Sequence, residues 1–207
     1  MNVISKRIVA SMFVLGMGAS PLCSQALPAG ERGFSPLNHV EVAAGGTGLF
    51  TGTLPTHNSS VPQTATDALG GLVSVKDRPV PWAGFELNYG YSKLREQYIS
   101  GASFSVNTAL HEATGAFTFH PRLLHLQPFV AIGAGYVIFA PPQSRSQWRA
   151  AGLGEIGLDI PTGNPHLGFR VQARVLAYRA PNFYNRGLGT ANWMATTEPM
   201  AGAWYRF

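Results

Sequence analysis

Charged residues and long apolar runs are both scarce in this chain of 207 residues. Asp, Glu, Lys and Arg make up 12% of it, about half of the roughly 25% found in soluble domains. A polytopic helical membrane protein would need several runs of about 20 apolar residues, and the sequence contains none. A disordered chain is poor in aromatic residues and high in net charge, whereas aromatic residues here reach 11% and the formal net charge is +5. With 24 glycines, the composition favours an ordered protein rich in β-structure.

The N-terminus has the pattern of a secretory signal peptide. Two basic residues, Lys6 and Arg7, precede an apolar stretch over residues 8–18. The small-x-small sequence of residues 24–26 then offers a cleavage site. We interpret residues 1–26 as a signal peptide rather than as a buried helix, because paired positive charge precedes the apolar stretch. The protein is therefore expected to be exported.

Cysteine is limited to Cys23, which lies in the predicted signal peptide. Lipidation of Cys23 is disfavoured, because Ser20 stands where a lipoprotein has Leu and the large Leu22 directly precedes the cysteine. After cleavage no cysteine is left, so an exported protein of this sequence must be stabilised without disulfides. We predict a periplasmic segment over residues 27–38 and one folded domain over residues 39–207.

Within that domain apolar and polar residues alternate with a period of two, which is typical of β-strands. One segment alternates Phe85, Leu87 and Tyr89 with Glu86 and Asn88. Helical spacing would scatter such charges around the axis. Eight segments are predicted to be strands: residues 40–50, 69–75, 82–92, 109–119, 129–139, 152–160, 167–178 and 200–207.

The connections between these segments alternate in length. Three are short and contain proline: residues 77–81, 120–125 and 161–165. Four are longer and polar: residues 51–66, 93–105, 141–147 and 181–191. An even number of strands, with short turns on one side and long loops on the other, is the signature of a transmembrane β-barrel. The sequence therefore predicts an all-β, eight-stranded, antiparallel up-and-down barrel.

The strand charges lie opposite the apolar series, so we expect them to point into the barrel. They are Glu41, Glu86, Glu112, Glu155, Glu198, Arg170, Arg174 and Arg206. The apolar series, which includes Phe85, Leu87, Tyr89, Phe169, Val171 and Val175, should face lipid. A water-soluble sandwich or lipocalin-like barrel is the alternative, in which the apolar series would point inward.

Aromatic residues fall near the two ends of the predicted strands, as two interfacial girdles require. Those near the long loops are Tyr91, Phe139, Trp148, Tyr178, Phe183, Tyr184 and Trp193. Those near the short turns are Trp82, Phe117, Phe119, Phe129, Tyr205 and Phe207. This sorting favours the membrane barrel over the soluble alternative.

The sequence resembles the OmpA-type small outer-membrane β-barrel family. The resemblance rests on Q-P-F-V-A-I-G-A-G-Y at residues 127–136, on G-L-D-I-P followed by L-G-F-R at residues 157–170, and on A-G-A-W-Y-R-F at residues 201–207. The final segment, which ends in Phe207, is similar to the signal that the barrel assembly machinery reads. The resemblance covers the barrel without a peptidoglycan-binding domain, so tethering to the cell wall is not expected.

Catalytic, cofactor-binding and metal-binding residues are not predicted. His57 and Ser59 form an H-x-S triplet that is similar to one in the outer-membrane lipid A deacylase, but no acidic residue lies within seven positions of His57, and nucleophilic catalysis needs a group that orients the base. The six histidines lack metal-ligand spacing; they are His39, His57, His111, His120, His125 and His166. We interpret His120, His125 and His166 as interfacial residues at the short turns.

The expected function is a structural or surface-interaction role in a bacterial outer membrane. Glu41 and Glu198 should pair with Arg206 or Arg174, because lone buried charges are costly, and further partners such as Arg149 should neutralise the remaining carboxylates. The resulting polar lumen should be filled by side chains. A narrow ion-conducting channel is the first alternative, and a lipid-modifying enzyme is a second.

Expected partners follow from the position of the basic residues. They cluster at the long-loop ends, where anionic lipopolysaccharide would lie: Lys93, Arg95, Arg145, Arg149, Arg179 and Arg186. Nucleic-acid binding is not expected from a charge excess this small and dispersed. The glycine-rich segments join strands rather than a strand and a helix, so they do not predict a phosphate loop. A monomer is expected.

Overall fold

The computed structural model describes residues 39–54, 63–65, 67–100, 102–121, 127–142, 145–181 and 193–207. These residues form a single antiparallel sheet that closes on itself. Among the described residues there is no helix with the length and apolar character that a membrane span needs. The predicted signal peptide and the segment of residues 27–38 lie outside the described residues.

Nine strands are present in the described part of the chain, and eight of them form the barrel wall. The strands are β1 (Val40–Leu54), β2 (Gln63–Ala65), β3 (Ala68–Val80), β4 (Ala83–Ser100), β5 (Ala102–Phe119), β6 (Gln127–Ala140), β7 (Gln147–Pro161), β8 (Leu167–Arg179) and β9 (Trp193–Arg206). The three-residue strand β2 pairs with β4, with Thr64 opposite Gln97. The predicted eight-stranded up-and-down barrel is confirmed.

The wall closes where the first and last strands meet. Strand β1 pairs with β3 on one side and with β9 on the other, so that Glu41 lies between Lys76 and Arg206. Each remaining wall strand pairs with its neighbour in sequence, and β4 pairs with β5 along their whole length. Closure of this kind leaves the wall without a free edge, which a strand protein in lipid requires.

Tight joints gather at one end of the barrel, which we call the short-turn end. Val80 pairs with Ala83, so two residues connect β3 to β4, and the His120 amide donates to the Trp82 carbonyl at 2.8 Å. The connections from β5 to β6 and from β7 to β8 lie at the same end. The opposite end is called the distal end below.

One predicted loop is wrong. Residues 93–105 are a continuation of β4 and β5, which pair as far as Ser100 and Ala102. Their polar composition suggested a loop, but the ladder between the two strands lets them satisfy backbone groups on each other rather than with water. The hairpin extends beyond Ala109 and Ala140, the last pair between β5 and β6.

The predicted faces are confirmed. Along β8, Phe169 is 59% exposed and Arg170 is completely buried, and the alternation continues to the end of the strand. All six apolar residues predicted to face lipid are exposed, whereas Glu86, Arg170 and Arg174 are buried. The soluble alternative is wrong, because it requires the opposite arrangement.

Candidate functional site: the filled lumen

Arg170 is the centre of the first charged layer in the lumen. The pairing of β7 with β8 places Asp159 directly opposite it, and its guanidinium binds both carboxylate oxygens, with Nε donating to Oδ1 at 2.6 Å and Nη2 donating to Oδ2 at 2.9 Å. Nη2 also donates to Glu41, and Nη1 donates to the Ser74 hydroxyl at 3.3 Å. Bidentate pairing of this type is strong and fixes geometry.

Lys76 completes this layer from the facing wall. Its register partner on β4 is Glu86, whose Oε2 lies 3.0 Å from the lysine Nζ. The same Nζ lies 3.8 Å from the centre of the Phe129 ring, which is a cation–π contact. Sequence reasoning missed both Lys76 and Asp159. Lys76 lies one residue beyond the predicted strand of residues 69–75, whereas Asp159 lies inside the predicted strand of residues 152–160 and shares the inward parity of Glu155, which was the signal that could have found it.

Two partly exposed arginines close the layer at the short-turn rim. Arg206 Nη2 donates to Glu41 Oε2 at 2.8 Å, and Arg78 Nη2 donates to the same oxygen at 3.2 Å. The expected approach of Glu41 to Arg206 is therefore present. We define the lower cluster as Lys76, Arg78, Arg170 and Arg206 with Glu41, Glu86 and Asp159.

A second charged layer lies farther from the short-turn end, around Arg174, which is four residues beyond Arg170 on β8. Arg174 has Glu155 and Glu198 as register partners on its two neighbouring strands. Its Nη1 donates to Glu112 Oε1 at 2.6 Å and to Glu198 Oε2 at 3.1 Å, and Nε lies 3.5 Å from Glu155 Oε2. Nη2 donates to Thr114 at 3.3 Å. We define the middle cluster as Arg174, Glu112, Glu155 and Glu198.

The lumen contains two cations beyond those predicted, Lys76 and Arg78, both in the lower cluster. Arg149 lies on the inward parity of β7, opposite the buried Val137, and its Nε donates to the Ala180 carbonyl at 3.2 Å. Its pairing with the lumen carboxylates stays a prediction.

An apolar layer fills the lumen on the distal side of the middle cluster. Its buried side chains lie at inward positions nearer the distal end than the charged clusters: Leu49, Leu94, Leu110, Val137, Phe139, Leu153, Leu176, Tyr178 and Met194. The Phe139 and Tyr178 rings lie 5.7 Å apart, and the Tyr178 hydroxyl is 2.7 Å from the Thr196 hydroxyl. Sequence reasoning missed this layer, since inward leucines resemble lipid-facing ones in composition.

No protein-family model and no curated protein matches the sequence. Solved structures match the fold, beginning with the outer membrane protein OprG from Pseudomonas aeruginosa, which has a TM-score of 0.57 and 13% identity over 81% of this chain and 95% of its own. Neisserial surface protein A has a TM-score of 0.59 and 10% identity over 82% and 97%. The outer membrane protein AlkL has a TM-score of 0.50 and 15% identity over 89% and 97%.

The fold is that of the OmpA-type small outer-membrane β-barrels. At these identities the likeness extends to the fold alone.

The exterior of the barrel carries two aromatic belts. Exposed rings near the distal end include Tyr91, Trp148 and Trp193, and those near the short turns include Trp82 and Phe119. Three predicted belt residues are instead buried in the lumen: Phe129, Phe139 and Tyr178. Their positions near strand ends were right, but each falls on the inward parity of its strand. Phe183 and Tyr184 lie outside the described residues.

His166, His111 and His120 lie in three different parts of the barrel. His166 lies at the exposed short-turn rim, where its Nδ1 donates to the Arg206 carbonyl at 2.8 Å. His111 is paired with the Tyr89 hydroxyl at 2.8 Å on the outer surface. Among the described residues no group of three His, Cys, Asp or Glu could hold a metal ion. His57, Ser59 and His125 lie outside the described residues.

His120 is a correction, because it is buried at the lumen mouth rather than interfacial. It lies in the connection after β5, with its ring 5.6 Å from that of Phe129. Burial, reinforced by the positive charge of Lys76, lowers the pKa of His120 to about 4. The imidazole is therefore neutral near pH 7.

Proposed function

We propose that this chain is a non-enzymatic outer-membrane β-barrel with a structural or surface-interaction role and a closed lumen. The observation that carries the proposal is the stacking of the two charged clusters below an apolar layer inside one narrow barrel. A barrel of eight strands has room for little more than its own side chains. An apolar constriction also opposes ion passage, because it dewets.

The distal end is the one proposed to face the outside of the cell. The β4–β5 hairpin extends past β6 there, and Lys93, Arg145 and Arg179 are exposed. Arg179 lies over the Trp193 ring, with 5.7 Å between the guanidinium carbon and the ring centre. Basic residues beside an aromatic belt suit the phosphates of lipopolysaccharide, so this rim is the proposed lipid contact and the hairpin the proposed interaction surface.

Conductance in planar bilayers tests the closed lumen. The purified barrel should be nearly non-conducting at neutral pH, with insertion checked by protease protection in the same membranes. A large and steady conductance of the unmodified protein would contradict the proposal and support the narrow-channel alternative instead.

The lipid contact is tested separately. Replacing Lys93 and Arg179 by Gln should weaken binding to lipopolysaccharide without changing conductance.

The C-terminus is the proposed contact for the barrel assembly machinery. The Phe207 amide donates to the Val40 carbonyl at 3.2 Å, and the Phe207 and Tyr205 rings meet edge to face at 5.2 Å on the outer surface. Deleting Phe207 should impair assembly in cells and leave folding of the purified chain in detergent largely intact. Normal membrane insertion of the truncated chain in cells would contradict this assignment.

We also propose that the barrel functions as a monomer.

A further inference from the structure

The wall formed by β4, β5 and β6 has a notch at its distal edge. The last register row that the three strands share consists of Lys93, Ala109 and Ala140. Strand β6 ends at Ala140, whereas β4 and β5 continue together to Ser100 and Ala102. Two of the three side chains in that row are methyl groups, and β5 has no ladder partner on β6 beyond it among the described residues. The wall is therefore thin at this point.

A cavity of about 580 Å³ lies in the notch. Its polar lining residues are Lys93, Asn107 and Thr108, and its apolar ones are Leu94, Ala109, Ala140 and Pro142. Lys93 is exposed, whereas Leu94 and Thr108 are buried, so the cavity extends inward from the outer surface along the edge of β5. Its volume is in the range of sites that bind small organic ligands. The mixed lining suits a ligand that has both a charge and apolar surface.

His111 supplies a second polar group beside this cavity. It lies one outward position nearer the short-turn end than Ala109, in the register row of Tyr91. Its Nδ1 lies 2.8 Å from the Tyr89 hydroxyl, and its ring lies 5.0 Å from that of Tyr91. Donation by the Tyr89 hydroxyl satisfies the phenolic hydrogen on a lipid-facing wall, and it leaves the histidine Nε2 as an N–H donor. The two tyrosines therefore hold that donor in place.

Lys93 and His111 are close enough to act on one ligand. They are diagonal neighbours across the β4–β5 ladder, a position in which the backbones are about 7–8 Å apart. The register rows that contain Lys93, Tyr91 and Tyr89 have no acidic side chain on these three strands. An anion at this point would therefore meet two donors and no opposing carboxylate from those rows.

The patch lies at the level of the distal aromatic belt. Tyr91, Tyr136 and Trp148 are exposed on the same side of the barrel, and the rings of Tyr136 and Trp148 meet edge to face at 6.2 Å. Such belts mark the depth of the lipid headgroups. Because the cavity lies one row beyond Tyr91, a headgroup rather than an acyl chain would occupy it.

We propose that this cavity binds the phosphorylated sugar headgroup of one lipopolysaccharide molecule, with a phosphate between Lys93 Nζ and His111 Nε2. The inference rests on the lipid contact proposed for the distal rim and narrows that contact to one site. The sugar would lie over Ala109 and Ala140, and the acyl chains would follow the apolar wall past Ile138. A phospholipid also carries a phosphate but has no sugar to fill the notch, so lipopolysaccharide is the better occupant.

Direct binding to the unmodified barrel is the first test. The protein is folded in detergent and titrated with lipid A, and native mass spectrometry counts the molecules bound. We expect one lipid A molecule to bind saturably. Lipid A without its phosphate groups should bind at least about tenfold more weakly, since it loses the charge-assisted contacts. Phosphatidylglycerol should not compete at equal concentration.

Variants locate the site. Ala109→Trp fills the notch without removing a charge and should abolish the saturable binding. His111→Phe keeps a ring against Tyr91, removes the donor and should weaken binding about tenfold. Ala195→Trp is the matched control, because it places the same side chain on the outer face of β9, on the opposite wall, and should leave the affinity unchanged. Since Ala109→Trp could disturb folding, His111→Phe stands as an independent criterion.

Three results would overturn the inference, and they separate it from the proposed function. Lipid A binding that survives both Ala109→Trp and His111→Phe but is lost when Lys93 and Arg179 are replaced together would keep the rim contact and remove this site. Equal, saturable binding of phosphatidylglycerol would assign the cavity to a phospholipid headgroup. Failure of the unmodified barrel to bind lipid A would contradict both this site and the rim contact.

Discussion

Arg174 is the residue on which the middle of the lumen depends. Its guanidinium contacts three buried carboxylates from three different strands, so its removal leaves like charges facing one another inside the barrel. Lysine cannot replace it fully, because a single ammonium group lacks the planar fork that reaches several acceptors at once. The same argument applies to Arg170, whose fork is matched to Asp159.

Replacing Arg174 by Ala should therefore destabilise the barrel by roughly 3–5 kcal/mol, as is found when one partner of a buried ion pair is lost. The free energy of unfolding is measured by urea titration of the protein folded into lipid vesicles. Arg179→Ala is the control, since it removes an exposed arginine from the same strand and should cost no more than about 1 kcal/mol. Equal effects of the two substitutions would contradict a central role for Arg174.

His120 makes the stability of the barrel depend on pH in a definite direction. Its pKa is about 4 in the folded protein and near 6.5 in an unfolded chain, so the unfolded state binds the proton first as the pH falls. The stabilisation is fully present above pH 6.5 and is lost progressively as the pH falls toward 4.

Comparison of the unmodified protein with His120→Phe isolates this contribution. Phe keeps a ring beside Phe129 but does not titrate, so the variant should lose less stability than the unmodified protein between pH 7 and pH 4.5. The carboxylates of the lumen titrate in both proteins and cancel in the difference. Parallel stability curves for the two proteins over this range would show that His120 is not buried as the structure has it.

At the scale of the strand, the period of two determines which side chains enter the lumen. It was sufficient to predict all eight wall strands and the inward direction of Glu86 and Arg174. It could not predict strand ends, because a polar segment such as residues 93–105 satisfies its backbone equally well in a loop exposed to water or in a hairpin. The same period also places the apolar layer, since Leu110 and Leu176 share the inward parity of Glu112 and Arg174 on their strands, but their apolar character alone does not distinguish them from lipid-facing residues.

Strand β8 offers a direct measurement of this alternation. Nitroxide labels at Phe169 and Val171 should be accessible to oxygen dissolved in the bilayer, whereas a label at Gln172 should be protected, because Gln172 is buried in the lumen. Gln172 is preferable to Arg170 as the inward position, because Gln172 is uncharged, whereas replacing Arg170 would break its ion pairs with Glu41 and Asp159. Oxygen accessibility that is high at Gln172 and low at Phe169 would contradict the structure, because it would mean that the apolar face of β8 points into the lumen.

At the scale of the whole molecule, the interior is graded from one end to the other. Rim arginines and a charged layer lie toward the short turns, the Arg174 layer follows, and apolar side chains fill the distal part. The two charged layers hold the strands in register through pairs between neighbours, such as Lys76 with Glu86 and Glu155 with Arg174. The apolar layer adds packing that excludes water from one side of these pairs, which strengthens their electrostatic interaction.

This gradation predicts which layer closes the lumen. Because water can rearrange around charged groups but dewets from an apolar constriction, the apolar layer should be the main barrier to ions. The double substitution of Leu110 and Leu176 by Ala should therefore produce discrete currents in planar bilayers. The double substitution of Arg174 and Glu112 by Ala removes a charged pair, keeps the apolar layer and should stay silent. Currents from the second variant and none from the first would instead make the ion pairs the gate, as the narrow-channel alternative requires.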